Sequence, residues 1–269
     1  MSDGPVPLQI TGRSKIMFIL GDPVAHIRGT AFFNAHFSER GLDVAAVPLH
    51  VAPADLASVI AVIRKLRNLA GFGVTIPHKI EVLKHLDGMT ERAAQVGAAN
   101  FVRRAADGGL TGDNVDGIGF TAGLARNGIA VEGKRVLQIG AGGAGRAIAF
   151  ALAEAGVAEI LLANRTQEKA QHLADAIEAA YPRCRCIAGA AEVAGADLVV
   201  NTTSVGLHED DPVPVDIAGL PAAAAVADII MSPDMTPLLR EAEQRGHRIM
   251  RGKEMLIDQL RLATAFLAI

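Results

Sequence analysis

The stretch RVLQIGAGGAGRAIAFALAEAG, residues 135–156, decides the fold. An apolar run of strand character ends in a turn built from Gly140, Gly142, Gly143, Ala144 and Gly145, and an alanine-rich helical pattern follows until Gly156. The spacing Gly140-x-Gly142-x-x-Gly145 is a weak signal when it stands alone. Here a strand precedes it and a helix follows, the setting in which such a turn holds a dinucleotide. The glycines permit a tight turn and let a pyrophosphate approach the first amides of the helix, where the partial positive charge lies.

The next strand, EILLANR (159–165), selects the nucleotide. A site for NAD ends this strand in Asp or Glu, which holds the ribose 2′-hydroxyl. Asn164 stands in that place, and Arg165, Thr166 and Lys169 follow. The missing carboxylate and the added cations suit a 2′-phosphate, so NADP is the expected cofactor.

Further out, strand-like and helix-like segments alternate, so the fold class is α/β with mainly parallel strands. KIMFIL (15–20), VAAVPLH (44–50) and GFGVT (71–75) read as strands, with a helix near 53–66. Helical patterns follow near 78–86, opened by Pro77, and near 90–96. AANFVRRA and GGLTGDN read as a hairpin turning at Asp107, Gly108 and Gly109. After GDNVDG a second unit begins, with helices over 116–128, over QEKAQHLADAIEAA and over 236–246, and strands in ADLVVNTT and AAVADIIM. The chain closes on an amphipathic helical pattern, KEMLIDQLRLATAFLAI.

Composition bounds the function. The 269 residues are half hydrophobic and one-fifth charged, which is globular and long enough for two domains. A net charge of −3, no Trp and one Tyr argue against nucleic acid and against an anionic membrane as partners. There is no signal-like N-terminus and no apolar run of ~18 residues, so the expectation is a cytoplasmic enzyme acting on a small molecule, as a monomer or homodimer. Cys184 and Cys186, read as alternating positions of one strand, are expected to be structural or surface thiols. The eight histidines contain no H-x-x-x-H pair, and no catalytic metal is expected.

Hydride transfer needs a group that takes or gives the hydroxyl proton. GFGVTIPHK (71–79) puts Lys79 in what reads as the first turn of a helix, where the partial positive charge disfavours a cation. Either solvation or an acidic partner and a reacting substrate would account for it. Asp116, in GDNVDG, is the candidate partner, at the start of a helix that favours its ionised form. Spacing alone does not bring the two residues together.

With these residues in view, the chain resembles the shikimate dehydrogenase family. The matching motifs are GDPVAH (21–26), GVTIPHK (73–79), GAANFV (97–102), GDNVDG (112–117), IGAGGAGRA (139–147), NRT (164–166), NTTSVG (201–206) and GKEMLIDQ (252–259), in family order over nearly the whole chain. The resemblance implies an N-terminal substrate-binding domain over 1–115, a Rossmann-like NADP domain over 116–250 and a final helix over 251–269 that returns to the first domain. It implies that Lys79 and Asp116 form the pair at the transferred hydroxyl and that Thr75, Asn100 and Gln259 hydrogen-bond the substrate. By the same analogy Gly252 and Met255 belong to the cofactor side, although Met255 reads equally as a core methionine. Asn201, Thr202 and Ser204 follow a strand of the second unit and are expected to line the nicotinamide pocket through backbone contacts.

The chain departs from the family pattern where a substrate carboxylate would be held. The family reads H-S-x-S-P after the first strand, and here Ile27, Gly29 and Thr30 replace both serines and the proline. Gly73 replaces the family's Asn, and Met231 stands where a Tyr is usual. Arg28 and Thr30 are candidate replacement donors, with Arg28 either turned to the substrate or to solvent. His26 and His78 flank the site and read as tuning or as packing residues, and Asp113 and Asn114 as formers of the turn that presents Asp116. The reading is therefore an NADP-dependent dehydrogenase, weak on shikimate, whose substrate is a related cyclic hydroxy acid such as quinate or an aminated analogue, or a compound with no carboxylate. A non-catalytic NADP- or metabolite-sensing protein on the same fold is the competing class. A methylenetetrahydrofolate dehydrogenase would explain the cofactor half and explains VTIPHK with GDNVDG less well.

Overall fold

A computed structural model of the chain describes residues 10–25, 27–208 and 210–269. His26 lies outside the described residues. The chain divides into two units, Met1–Val115 with Gln259–Ile269, and Asp116–Asp258.

The first unit carries β1 (Lys15–Gly21), α1 (Gly29–Glu39), β2 (Val44–His50), α2 (Leu56–Ile63), β3 (Leu69–Val74), β4 (Gly88–Met89), α3 (Glu91–Val96), β5 (Phe101–Arg104) and β6 (Leu110–Asp113). Its six-stranded sheet runs β2-β1-β3-β5-β6-β4. The pairs β1–β2, β1–β3 and β4–β6 are parallel, and β3–β5 and β5–β6 are antiparallel. Alternation along β1 sorts its side chains between two cores. Met17 and Ile19 pack with Phe33 and Phe37 of α1, while Leu20, with Ile16 and Phe18 beside it, packs with Leu56, Ile60 and Ile63 of α2. The edge strand β2 is blunted in its middle by Asn34, whose carboxamide donates to Ala46 O at 3.0 Å and accepts from Ala46 N at 2.7 Å. Such double pairing occupies backbone groups that would otherwise template another strand.

Two local readings are corrected. The pattern near 78–86 is not an α-helix: residues 76–80 form a turn, closed by His78 N donating to Thr75 O at 2.9 Å, and only Glu81–His85 coil, as a 3₁₀ helix. Lys79 therefore stands in a turn, and the conflict between a cation and an α-helix N-terminus does not arise. Cys186 lies in a strand but Cys184 precedes it. Both thiols are buried, which pushes their pKa values up to about 11 for Cys184 and about 12 for Cys186, so they are inert structural groups. The hairpin at Asp107–Gly109 is present, with Asp107 Oδ1 accepting from Gly109 N at 2.9 Å and Gly108 at φ +95°.

The second unit carries α4 (Asp116–Arg126), β7 (Arg135–Ile139), α5 (Gly143–Glu154), β8 (Glu159–Ala163), α6 (Gln167–Ala180), β9 (Arg185–Ala188), β10 (Leu198–Asn201), β11 (Ala225–Asp228), α7 (Pro237–Gln244) and β12 (Arg248–Met250). The sheet order β12-β11-β10-β7-β8-β9 is parallel throughout. Strand order reverses between β7 and β10, and in such sheets ligands bind beyond the carboxyl ends of the strands at that reversal. One face packs Leu137, Val199 and Val226 with Leu238, Leu239 and Ala242 of α7. A Cβ at Gly117 would stand 2.4 Å from Ala147 O, so this glycine lets α4 lie close against α5.

The last helix, α8 (Gly252–Leu267), is continuous, with its residues up to Asp258 in the second unit and those from Gln259 in the first. Its Ala263 and Leu267 join Met17, Phe33 and Phe101 in one core. No helix among the described residues is long and apolar enough to cross a membrane.

Candidate active site

At the reversal point of the second sheet, the glycine turn joins β7 to α5. Gly140 has φ +108°, and a Cβ there would stand 2.6 Å from Thr202 Oγ1. A Cβ at Gly145 would stand 2.5 Å from Gly140 O and 2.7 Å from Thr202 Oγ1. Thr202 crowds both glycines: it follows β10 and donates its hydroxyl to Ile139 O at 2.8 Å and Gly140 O at 3.1 Å. Gly142 is different, because nothing lies within 4 Å of where its Cβ would be. The 12-residue α5 starts beyond it with Gly143, Ala144 and Gly145, without a side-chain cap and without an acid in its first turn. An open glycine face at an uncapped helix start fits an anionic pyrophosphate.

Asn164, in the place of a ribose-binding acid, is engaged with the main chain: its Oδ1 accepts from Ala141 N at 3.1 Å and its Nδ2 donates to Thr166 O at 2.8 Å. It ties the end of β8 to the glycine turn and adds no negative charge. Arg165, Thr166 and Lys169 are exposed beside it, which fits a phosphate at that end of a dinucleotide. Ser204 is exposed in the turn after β10, and Met255 is buried in α8. Gly252 is a close approach, since a Cβ there would stand 2.3 Å from Ile230 O. Among the described residues no group of three His, Cys, Asp or Glu side chains is arranged to hold a metal ion.

In the first unit, antiparallel pairing of β3 with β5 brings Thr75, just after β3, and Asn100, just before β5, to one end of the sheet. Val74 N donates to Asn100 O at 2.8 Å, and Thr75 N donates to Leu20 O at 2.9 Å. The backbone of Lys79 is pinned on both sides. The buried ring of His78 bonds Val51 O at 2.7 Å, and Lys79 O accepts from Ala99 N at 2.8 Å. His78 is thus a packing residue that fixes where Lys79 starts. Asn100 Oδ1 accepts from Val115 N at 3.0 Å, one residue ahead of the buried Asp116 that opens α4. Asp113 holds the preceding turn: its buried carboxylate accepts from Thr90 Oγ1 at 2.6 Å, from Asn114 N at 2.8 Å and from Nε and Nη2 of Arg92. Asn114 Nδ2 donates to Ala98 O at 3.0 Å. Gln259 is buried on α8 and shares the face of Ala263 and Leu267 by its spacing.

The departures from the family pattern fall beside these groups. An added Cβ at Gly21 would meet Thr75 Cγ2 at 2.6 Å and Ile27 Cδ1 at 3.3 Å, so Ile27 and Thr75 flank the same glycine. Ile27 packs on the core of Met17, Ile19 and Phe33. Gly29 and Thr30 open α1, and Arg28, at its N-cap, is exposed. Gly73 is buried, with Phe101 3.3 Å from its would-be Cβ, and Met231 is half-buried after β11. The sequence reading passed over Gln138 and Asp228. Gln138 Nε2 donates to Gly140 O and Gly145 O, both at 2.9 Å, bracing the glycine turn from beneath. The signal for both was a polar residue inside an otherwise apolar strand.

The parallel second sheet and its open glycine turn define a dinucleotide-dependent oxidoreductase unit. Profiles of known families then identify it. The shikimate dehydrogenase substrate binding domain matches residues 19–102, and shikimate / quinate 5-dehydrogenase matches residues 123–209. A shikimate dehydrogenase (NADP(+)) of Geobacter metallireducens is 40% identical, over 96% of this chain and 92% of its own. Among solved structures, a shikimate dehydrogenase in complex with NADP+ is 35% identical with a TM-score of 0.90, covering 98% of this chain and 93% of the other. The 5-ketofructose reductase of Gluconobacter sp. strain CHM43 is 33% identical with a TM-score of 0.83, covering 96% and 94%. The chain belongs to the shikimate dehydrogenase family, and with it to the NADP-dependent oxidoreductases.

Proposed function

We propose that the chain interconverts a hydroxyl and a ketone on a small polyhydroxylated compound with NADP(H), and that shikimate itself is a poor substrate. The residues assigned are Lys79 and Asp116 for the proton, and Thr75, Asn100 and Gln259 for the substrate hydroxyls. The glycine turn would hold NADP(H), with Arg165 and Lys169 for its 2′-phosphate, and the bound cofactor would supply or take the hydride. In reduction the carbonyl carbon gains that hydride, and the Lys79 ammonium gives its proton to the carbonyl oxygen. In oxidation the neutral amine takes the hydroxyl proton as the hydride leaves. Asp116 is assigned as the carboxylate of the proton-transfer pair. Residues 1–115 are assigned to the substrate and 116–250 to the cofactor.

The observation that carries the substrate reading is the packing of Ile27 beside Gly21 and Thr75. An isoleucine side chain there offers no donor and desolvates any carboxylate placed against it. Two lost hydrogen bonds to a charged group amount to about 3 kcal/mol or more, roughly a hundredfold in efficiency. A neutral ketose or cyclic polyol avoids that loss, and the likeness to a 5-ketofructose reductase favours it over quinate or an aminated acid. The test is steady-state turnover with NADP(H) on shikimate, quinate and 5-ketofructose, beside Lys79→Ala. Higher efficiency on the neutral substrate, abolished in the variant, is the expected result. Ordinary family-level efficiency on shikimate would overturn the substrate reading and leave the chemistry standing. NADPH binding without turnover of any of the three would favour the sensing protein.

A further inference from the structure

Asp228 ends β11 and is fully buried, yet no step of the proposed reaction uses it. Its carboxylate gathers donors from three segments. Oδ1 accepts from Ile230 N at 2.9 Å, and Oδ2 accepts from Asn201 Nδ2 at 3.1 Å and Thr236 Oγ1 at 2.9 Å. Each donor organises a piece of chain. Asn201 also donates to Val205 O at 3.0 Å, and its Oδ1 accepts from Thr203 N at 3.1 Å and Thr203 Oγ1 at 2.7 Å, which shapes the 201–206 loop. Thr236 caps α7 by accepting from Leu239 N at 3.3 Å. Ile230 and Ile229 present the carbonyls against which Gly252 of α8 is pressed. The chain from Asp228 to the glycine turn is short: Asn201 is followed by Thr202, whose hydroxyl lies on Gly140 O.

We propose that Asp228 is a positioning residue for the dinucleotide, an all-acceptor clamp that fixes the 201–206 loop and the start of α7 around the glycine turn. The inference rests on the cofactor reading above. The geometry makes the clamp specific for a carboxylate. Thr236 Oγ1 already accepts from Leu239, so its proton must go to Asp228. Asn201 cannot turn its amide over, because its Oδ1 holds Thr203. Two donors therefore converge on Oδ2 and the Ile230 amide on Oδ1, so a carboxamide that kept its oxygen on the first two would set its NH2 against the Ile230 N–H, and a protonated acid would likewise give up acceptor capacity. The groups facing the carboxylate from β10, from the 229–230 segment and from α7 are neutral: Asn201, two amides and Thr236. Burial without a cation raises the Asp228 pKa from 3.8 to about 6, against the lowering effect of these hydrogen bonds. The clamp is ionised at neutral pH and is lost under mild acid. The sign for stability is opposite. Between about 4 and 6 the folded chain keeps a proton that the unfolded chain has released, so this group's contribution to stability falls as pH rises through that window.

The test is direct titration of NADPH and NADH fluorescence by the full chain between pH 5.5 and pH 7.5. NADH matters because the 2′-phosphate of NADPH itself titrates near pH 6. Wild-type protein is expected to lose affinity for both nucleotides toward pH 5.5. Asp228→Asn is expected to bind about tenfold more weakly at pH 7.5, the loss of one charged hydrogen bond, and to show a flatter NADH profile. An NADH affinity in the wild type that is equal at both pH values overturns the inference, whether or not the variant folds. Equal affinities of variant and wild type at pH 7.5 also overturn it. Failure of the wild type to bind either nucleotide at any pH would instead overturn the cofactor reading and take this inference with it.

Discussion

The glycine turn after β7 and the turn after β3 are both presented at the ends of sheet strands, but they work by opposite means. The first acts by what is missing. A Cβ at Gly140 or Gly145 would run into Thr202, and at Gly145 into the Gly140 carbonyl as well, whereas at Gly142 the space is left open. The atoms it would offer a pyrophosphate are backbone amides, which follow once the strand, turn and helix form. The second acts by what is added. Lys79, Thr75 and Asn100, the side chains proposed for the chemistry, are each held through bonds to residues distant in sequence, such as His78 to Val51 and Lys79 to Ala99. A local device is legible in a short motif, and at Gly140 and Gly145 it leaves no room for a side chain. A distributed device leaves a weaker local trace, and its specificity can change while its chemistry is kept. The replacements at Ile27 and Gly29 are proposed to be of that kind.

The contrast can be broken, and the largest effect is expected at the side-chain site. Lys79→Ala should lower kcat about a thousandfold, as for loss of a general acid, and leave NADPH binding intact in a fluorescence titration. Parallel loss of NADPH affinity would show that the two devices are not separable. Next comes Gly145→Ala. Its methyl would press on Gly140 O, a backbone atom that cannot swing away, so NADPH affinity should fall about a hundredfold, with an overpacking cost of about 1–3 kcal/mol seen in urea denaturation. Retained affinity would mean that the turn relaxes and is less local than described.

Arg92→Ala probes the frame behind Asp116. It strands the buried carboxylate of Asp113, and unfolding in urea should show a loss of about 2–3 kcal/mol, below the usual buried-pair value because the guanidinium is 40% exposed. A variant as stable as the parent would remove that pair from the account of the site. The joint variant Arg165→Ala with Lys169→Ala should raise the KM for NADP about tenfold or more and leave that for NAD nearly unchanged. Equal effects on both nucleotides would refute a role at the 2′-phosphate. The smallest effect is expected from Ile27→Ser with Gly29→Ser. Restoring two hydroxyls should raise kcat/KM on shikimate up to about tenfold, since Ile27 also packs on the core and its loss costs order there. No gain would place the specificity elsewhere, with Met231 the next residue to exchange.

Much of the fold was legible because periodicity and punctuation agree locally. β2 and α6 match the strand and helix read from VAAVPLH and QEKAQHLADAIEAA, and Gly128, Gly156 and Gly246 mark helix ends with positive φ. The helix expected at 78–86 failed for a long-range reason. The bond of His78 to Val51 and of Lys79 to Ala99 holds the chain in a turn, and residue pattern alone does not report such partners. Gln138 and Asp228 escaped notice for a related reason. One polar residue in an apolar strand reads as an imperfection until its partners are seen.

By itself the sequence determined the two-unit α/β organisation, the glycine turn between β7 and α5 and the absence of an acid at Asn164, because each depends on neighbours within a few residues. Only the tertiary structure decided that Thr202 packs against Gly140 and Gly145, that Ile27 lies beside Thr75, and that Asp228 draws three segments onto one carboxylate. Those relations join strands and loops far apart in the chain, and the free energy that enforces them comes from burial and hydrogen bonds that exist only once the sheets have assembled.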